Sequence, residues 1–425
     1  MSGWRESALE AEHEAVRPRP DLEALPSSEL FVLLDDKLRR DTMGAIDWLL
    51  RVTPGATDPA VLIGEICDRL WALGVPVDRY RTSSTIATAD ADALGRTWVR
   101  GQGLSDTVYV RSQADDPDYT NSPFREASET GHWVDLWLPE TPDDRFGIVP
   151  ELKQDGYLHY ICMELGAPVG ISTWLTVATK EPQGFCDASR IVLALIAPVL
   201  GALINTRITR LMLDRLLRTY VGDEPHRAIL NGNVKRGQVT TIRSAILFAD
   251  MRDSTGHTAE ISAVEAVGLF NSVFDCLVPP IETRRGEVLK YMGDGLLAIF
   301  RDGGDGAEDA TRRALAAARD GLANVETFNA GRPGRRPVAL GIALHFGEAA
   351  YGNVGSGMRL DFTVIGRDVG LASRIGGLNA RLAEPLLMSS TFVRKLGLEA
   401  EPIGAFTVRG FSTPVAVFRP FEESR

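Results

Sequence analysis

The chain is poor in the residues that build disulfide networks and zinc centres. It has four cysteines in 425 residues, and they are too far apart in sequence to form a C-x-x-C pair: Cys67, Cys162, Cys186 and Cys276. Neither a disulfide framework nor a zinc site is indicated by this spacing. We expect reduced thiols, as in a protein of the cytosol.

Long apolar runs and an excess of basic residues are also missing. The formal net charge of −11 and the isoelectric point near 5.2 argue against broad attraction to nucleic acid or anionic lipid. The most apolar run, Ile191–Ile204, contains Pro198 and is shorter than the ~18–20 residues that cross a bilayer. The N-terminal "MSGWRESALEAEHEAVRPRP" has acidic residues where a secretory signal has an apolar core. We therefore expect a cytoplasmic protein with no membrane span and no nucleic-acid partner.

What is present is the composition of a soluble globular chain, with 44% hydrophobic and 24% charged residues. A length of 425 residues predicts two or three domains. Changes in pattern divide the chain into a flexible N-terminus (1–38), a mixed α/β domain (39–212), a helical linker (213–240) and a second mixed domain (241–421).

The first domain combines helical and strand-like segments. Apolar residues recur at helical spacing over 43–74, four strand-like pieces follow ("TWVRG", "HWVDLWL", "YLHYICMEL" and "GISTWLTVAT"), and a long helical pattern runs from Asp187 to Gly222. This order resembles a GAF-type sensor domain, which implies an unknown small-molecule or protein input. A dimerisation scaffold without a ligand is the alternative. Four tryptophans either line a pocket or belong to the core: Trp98, Trp133, Trp137 and Trp174.

The second domain has the element order of a ferredoxin-like core. "SAILFAD" predicts a buried strand ending at Asp250, and an amphipathic helix over about 262–278 follows, with one apolar face. "EVLKYMGDGLLAIF" predicts two strands around a turn that holds Asp294, residues 307–329 a helix, and "PVALGIALHFGEAAYGNVG" a strand pair. This is the β-α-β-β-α-β order. The apolar face of the first helix comprises Val264, Val267, Phe270, Phe274 and Leu277.

Two acidic residues of this domain are candidate metal ligands. In a ferredoxin-like sheet the first strand lies beside the hairpin, so the Asp250 and Asp294 carboxylates can converge at one edge. Two carboxylates near a phosphate site suit a pair of Mg²⁺ ions. "MRDST", residues 251–255, precedes a helix, and its backbone N–H groups could hold phosphate oxygens. A turn or capping role is the alternative for either aspartate alone.

Residues 244–420 resemble the catalytic domain of a class III nucleotidyl cyclase through "LFADMRDST", "GEVLKYMGDGLLAIF" and "DFTVIGRDVGLASR". The resemblance implies two Mg²⁺ (or Mn²⁺) ions per active site, held by Asp250, Asp294 and the Met251 carbonyl. It implies a head-to-tail homodimer in which one chain supplies the metal ligands and the other the residues that bind the nucleotide. The implied nucleotide-binding residues are Lys290, Thr363, Arg409, Asp253, Ser254 and Thr255, and Arg374 is the implied catalytic arginine.

Three positions of the sequence bear on which nucleotide the domain uses and on whether it is active. In this family Lys with Thr is typical of enzymes that use ATP, and a Lys such as Lys290 can donate to the unprotonated N1 of adenine but faces an N1–H donor in guanine. Relatives carry Asn where this chain has Gly370. We expect an adenylate cyclase that makes cyclic AMP and pyrophosphate from ATP, regulated by the first domain. A nucleotide-binding regulatory protein without turnover and a guanylate cyclase are the alternatives.

Overall fold

The computed structural model describes residues 22–52, 58–86, 93–109, 117–166, 171–259, 261–357 and 359–421. The chain divides into two compact units, Met1–Leu216 and Leu217–Arg425.

The N-terminal unit is built from one antiparallel sheet and the helices on its two faces. Its strands are β1 (Arg79–Thr85), β2 (Ala93–Val99), β3 (Gly103–Tyr109), β4 (Val134–Trp137), β5 (His159–Leu165) and β6 (Thr173–Thr179). Its helices are a 3₁₀ turn (Leu22–Ala24), α1 (Ser27–Val32), α2 (Asp36–Arg51), α3 (Pro59–Ala72), α4 (Pro117–Thr120), α5 (Pro123–Thr130), α6 (Val149–Gln154) and the first part of α7 (Asp187–Val221).

Within the described residues, the strand order is β3-β2-β1-β6-β5-β4. One face packs against α2, α3 and α7 around Tyr80, Val177 and Ile196. The other face packs against α5 and α6 around Leu152 and Tyr160. Two predicted features are present, the antiparallel strands and a long closing helix that ends one residue before Gly222. The GAF-type assignment stays a prediction.

The predicted domain boundaries fall close to, but not at, the ends of these elements. Residue 38, the predicted end of the flexible N-terminus, lies inside α2. The predicted helical linker over 213–240 contains the end of α7 and the helix α8 (Asp223–Leu230), followed by a turn and the beginning of the next strand.

The C-terminal unit is a larger sheet with helices on both faces. Its strands are β7 (Val239–Met251), β8 (Glu287–Met292), β9 (Gly295–Arg301), β10 (Leu340–Ser356), β11 (Arg359–Ile365), β12 (Leu386–Ser389), β13 (Ala400–Phe406) and β14 (Val415–Pro420). After α8 its helices are α9 (Ser254–Thr258), α10 (Ala263–Thr283), α11 (Gly306–Ala330), α12 (Arg367–Gly376), α13 (Asn379–Leu382) and α14 (Ser390–Leu396).

The predicted ferredoxin-like order is confirmed in this unit. The strand order is β13-β14-β12-β10-β7-β9-β8, and β11 pairs with the end of β10. The core order β10-β7-β9-β8, with α10 and α11 as the two crossover helices, is the arrangement of a β-α-β-β-α-β unit. The short helix α9 is inserted between β7 and α10.

Two details of the sequence prediction are wrong. The segment predicted as a strand pair is a single strand of 17 residues, β10, because its first part pairs with β7 and β12 and its end pairs with β11. The predicted apolar face of α10 is buried only toward its C-terminus, where Leu277 packs in the core. Val264 is 82% exposed and Val267 57% exposed.

Two described helices are long and apolar enough to cross a bilayer by length and composition alone, α7 and α10. The most apolar stretch of α7 is 67% buried inside the fold, as in the core helix of a soluble protein, whereas that of α10 is 28% buried. The expectation of no membrane span stays a prediction.

Candidate active site

The two candidate metal ligands lie together at the end of β7. Asp250 pairs across the ladder with Gly295, the residue after Asp294, and the Met251 amide donates to the Asp294 carbonyl at 3.2 Å. Partial burial raises the pKa of Asp250 to about 6, and the charge and hydrogen bond of the Asp294 carboxyl add to this effect. The two carboxyl groups are therefore close enough that the charge of one disfavours ionisation of the other, as expected for two ligands of one cation.

The approach of these two strands requires a glycine at position 295. A Cβ atom there would lie 2.7 Å from the Ala249 carbonyl oxygen and 2.9 Å from Asp250 Oδ1. Any larger residue would push the hairpin away from the first strand. The glycine that follows Asp294 thus sets the distance between the two acids.

The donor set at this edge fits a divalent cation that also binds phosphate. In the part of the chain that the structure describes, no three or more His, Cys, Asp or Glu side chains gather as a metal cluster. Mg²⁺ is commonly held by one or two carboxylates, and water and substrate phosphates complete its shell. Asp250, Asp294 and the backbone at Met251 match this description.

The segment after Asp250 turns sharply into α9. Asp253 adopts a left-handed backbone conformation with φ 53° and precedes Ser254, the first residue of the helix. The Asp253 carboxylate pairs with Arg336, so this side chain already has a cationic partner. The Ser254 and Thr255 amides belong to the first helical turn, where N–H groups have no intrahelical acceptor.

The predicted purine residues lie at a corner formed by β8 and β11, together with an acid that the sequence analysis missed. Lys290 Nζ lies 2.8 Å from Asp361 Oδ2, and the Lys290 ammonium holds the pKa of Asp361 below its usual value. Thr363 is buried two residues further along β11. Strand residues two apart share a face, and this spacing was the signal available in the sequence.

The predicted catalytic arginine and the unusual glycine share one helix. Gly370 and Arg374 are both exposed on α12, four residues apart and so on the same side. The opposite side of α12 packs on the sheet through Ala372 and Ile375. A Cβ atom at Gly370 would have no atom within 4 Å.

Arg409 lies outside the regular elements. The sequence predicts it in a late strand, whereas the structure places it, exposed, in the turn between β13 and β14.

Thr363 and the acid pair lie at different levels of the sheet. Thr363 pairs with Gly352, and Gly352 pairs with Val239 at the start of β7, whereas Asp250 is near its end. Lys290, by contrast, is only four residues from Asp294, and its ammonium contacts Asp361, two residues before Thr363. Within one chain, Lys290 thus lies near both groups.

Comparison with known proteins identifies this region. Residues 238–413 match the family model described as the adenylate and guanylate cyclase catalytic domain. The adenylate cyclase of Anabaena cylindrica is 31% identical over 164 residues, which are 39% of this chain and 33% of that protein. This chain thus spans about a third of that relative's length.

Two solved structures are also similar to part of this chain. The adenylyl cyclase CyaB from P. aeruginosa is 23% identical with a TM-score of 0.41, and the match covers 44% of this chain and 98% of that chain. The guanylyl cyclase Cya2 is 25% identical with a TM-score of 0.38, covering 43% and 95%. On the match of the family model, residues 238–413 are similar to the catalytic domain of adenylate and guanylate cyclases.

Proposed function

We propose that this chain is an adenylate cyclase that converts ATP to 3′,5′-cyclic AMP and pyrophosphate in a homodimer, with input from its N-terminal unit. The observation that carries the proposal is the acid pair, Asp250 and Asp294, held together at the end of β7 by the hairpin. ATP brings phosphate oxygens and a ribose hydroxyl to such a site.

In the proposed reaction the ribose 3′-oxygen forms a bond to the α-phosphorus, and the bond from this phosphorus to pyrophosphate breaks. The hydroxyl proton passes to solvent. Two Mg²⁺ or Mn²⁺ ions, when bound, would lower the pKa of the 3′-hydroxyl and offset the charge of the triphosphate. Asp250, Asp294 and the Met251 carbonyl would hold them.

The remaining residues have separate roles in this proposal. Arg374 offsets charge on the α-phosphoryl oxygens, and Arg409 and the first-turn amides at Ser254 and Thr255 bind the other phosphates. Lys290 donates to adenine N1, and Thr363 completes the contact with the base. Asp361 keeps the Lys290 ammonium beside Thr363, supported by their 2.8 Å contact.

The proposed active site is shared between two chains. Thr363 pairs through Gly352 with the start of β7, whereas Asp250 lies near its end, and we propose that the acid pair of one chain works with Lys290, Thr363 and Arg374 of a second copy. Two equivalent sites then form across a two-fold axis.

A second candidate function is nucleotide binding without turnover. Gly370 favours it, because the helix face that carries Arg374 has no amide side chain at this position. In this reading the acids hold a metal–nucleotide complex, and the domain acts as a regulatory module.

The test is incubation of the purified full-length chain with ATP or GTP at equal concentration, with Mg²⁺ or Mn²⁺, and quantification of both cyclic nucleotides. We expect cyclic AMP to exceed cyclic GMP by at least about tenfold, equivalent to ~1.4 kcal/mol of discrimination. An excess of cyclic GMP would instead make the chain a guanylate cyclase. Metal-dependent ATP binding with no cyclic product would support the regulatory reading.

A further inference from the structure

The N-terminal unit contains a buried arginine without a counter-charge. Arg79 is 5% exposed, and it lies on β1 opposite Ala178 of β6 and Val99 of β2. Among the residues that the structure describes, none forms an ion pair or a hydrogen bond with its side chain. The Arg79 guanidinium lies near Tyr157 and Tyr160, whose pKa values its charge lowers against the larger opposite effect of burial. Its nitrogens are not among the described side-chain atoms that are fully buried without a partner, so the guanidinium keeps some access to water or to a ligand.

A second arginine lies beside it on the same face of the strand. Arg81 is two residues further along β1, so its side chain projects to the same side. Its Nη1 donates to Thr97 Oγ1 at 3.2 Å, and its Nη2 to the Tyr109 hydroxyl. Its Nε is buried and has no hydrogen-bond partner in the described part of the chain. Two guanidinium groups therefore face one region, and at least one of their N–H donors, Arg81 Nε, has no acceptor in the described part of the chain.

The residues around the two arginines are mostly small or hydroxylated. Ladder partners place Ser83 and Thr97 on this face, and both are buried. Gly95 leaves room for the arginine, because a Cβ atom there would lie 2.9 Å from Arg81 Nη2. Hydroxyl groups and guanidinium forks are the groups that bind carboxylate and phosphate oxygens.

The acidic and aromatic groups on this face do not neutralise the pair. Glu164 lies two strands from β1, opposite Trp174, and is exposed. Trp174 pairs with Ser83 across the ladder; its Nε1 donates to Ser128 Oγ at 3.0 Å, and its ring centroid lies 5.3 Å from that of Phe124.

From these contacts we infer that the N-terminal unit binds a small molecule with an oxyanion group, a carboxylate or a phosphate, on this face of its sheet. Arg79 and Arg81 hold the anion in a bidentate manner, as guanidinium groups do, and the Ser83 and Thr97 hydroxyls add hydrogen bonds. Trp174 contacts the rest of the ligand. This inference rests on the N-terminal unit alone and holds whether or not the cyclase proposal is correct.

The experiment uses the full-length chain and its tryptophan fluorescence. All seven tryptophans lie at or before residue 174, so this signal follows the N-terminal unit. Thermal unfolding is recorded in sodium acetate, sodium phosphate and sodium chloride at matched ionic strength. Acetate tests a carboxylate ligand, phosphate tests a phosphate ligand, and chloride corrects for salt.

We expect a saturable rise in the unfolding midpoint with acetate or phosphate relative to chloride, of about 5 °C at a hundredfold excess over Kd. Arg79→Met and Arg81→Met should lose the rise. Arg79→Lys keeps the charge without the fork and should retain a weaker one. The control, Arg96→Met, removes an arginine of the same sheet that pairs with Asp106, and its midpoint should still respond to the anion.

Two results would overturn the inference. One is a wild-type midpoint that is the same in all three salts, together with an Arg79→Met variant more stable than wild type, since an unneutralised buried charge would then only cost stability. The other is an anion response that survives in Arg79→Met and Arg81→Met. If Arg79→Met does not fold, the anion-dependent shifts in the unfolding midpoints of Arg79→Lys and Arg81→Met test the inference in its place.

Discussion

At the scale of single residues, the candidate active site depends on paired side chains. Asp250 acts with Asp294, and burial and this neighbour together raise the pKa of Asp250 to about 6. Lys290 is held by Asp361 at 2.8 Å. Arg374 has an empty position beside it at Gly370, where a side chain would meet no atom within 4 Å. Each pair can be tested by changing one member.

Gly370→Asn should raise kcat several-fold. The amide would lie on the same side of α12 as Arg374 and could hydrogen-bond the ribose, a contact worth about 0.5–1.5 kcal/mol. Gly370→Ala is the matched control, because it relieves the ~0.5–1 kcal/mol cost of a glycine inside a helix at least as fully as Asn does, and only Asn brings the amide. The measurements are kcat for ATP and the free energy of unfolding. Equal rates in the two variants would contradict the ribose contact.

Asp250→Asn should change the pH dependence of stability in the metal-free protein. A carboxyl pKa raised to about 6 gives stability that is fully present below the unfolded value near 4 and is lost as the pH rises through 6. The variant should therefore be more stable than wild type at pH 7.5, by at most about 1 kcal/mol after allowing for screening of this exposed group, and should lose that advantage near pH 4.

Magnesium provides the second half of the Asp250→Asn measurement. Added Mg²⁺ with a non-hydrolysable ATP analogue should raise the unfolding midpoint of wild type much more than that of the variant, because ligands bound to the folded state stabilise it. Equal shifts in both proteins would show that Asp250 is not a metal ligand.

At the scale of elements, the hairpin of β8 and β9 places the second acid against the first strand. The contact is tight, since a Cβ at Gly295 would lie 2.7 Å from a backbone oxygen of β7. The backbone of a central strand can move only if its hydrogen bonds to the neighbouring strands are weakened. The hairpin is therefore a sensitive part of the candidate site.

Gly295→Ala should lower kcat by tenfold or more and destabilise the protein by about 1–3 kcal/mol, the usual range for overpacking. Gly268→Ala is the control, because Gly268 lies inside α10 and a Cβ atom there would have no atom within 4 Å. This control change should stabilise the protein by ~0.5–1 kcal/mol. Cyclase assays and thermal unfolding of both variants give the comparison. Wild-type activity in Gly295→Ala would argue against the close approach of the two acids.

Element order was readable from the sequence where apolar patterns are strong, as in β9 and the second half of β7, which are largely buried. It was not readable in β1, "RYRTSST", whose polar residues do not alternate with apolar ones although most are buried. The α10 prediction was wrong for Val264 and Val267 because periodicity shows a face but not how far a neighbour covers it. The Asp361 contact with Lys290 requires that β11 lie beside β8 in the folded chain. The apolar pattern of the sequence does not show which strands come together.

At the scale of the whole molecule, we propose that each active site is shared between two chains. The acid pair lies near the end of β7, and Thr363 lies at the level of its start. The account therefore predicts that catalysis belongs to the dimer, and that the two sets of residues can be supplied by different chains.

Complementation between two inactive variants tests this claim most directly. Asp250→Ala removes a metal ligand and Arg374→Ala the catalytic arginine, so each homodimer should be inactive. Random mixing in equal amounts makes about half of the dimers mixed, each with one intact site of two, so about a quarter of wild-type activity should return. Cyclic AMP is measured after co-expression, with mixed dimers quantified by two affinity tags. No recovery when mixed dimers are present at the expected level would contradict a site shared between chains.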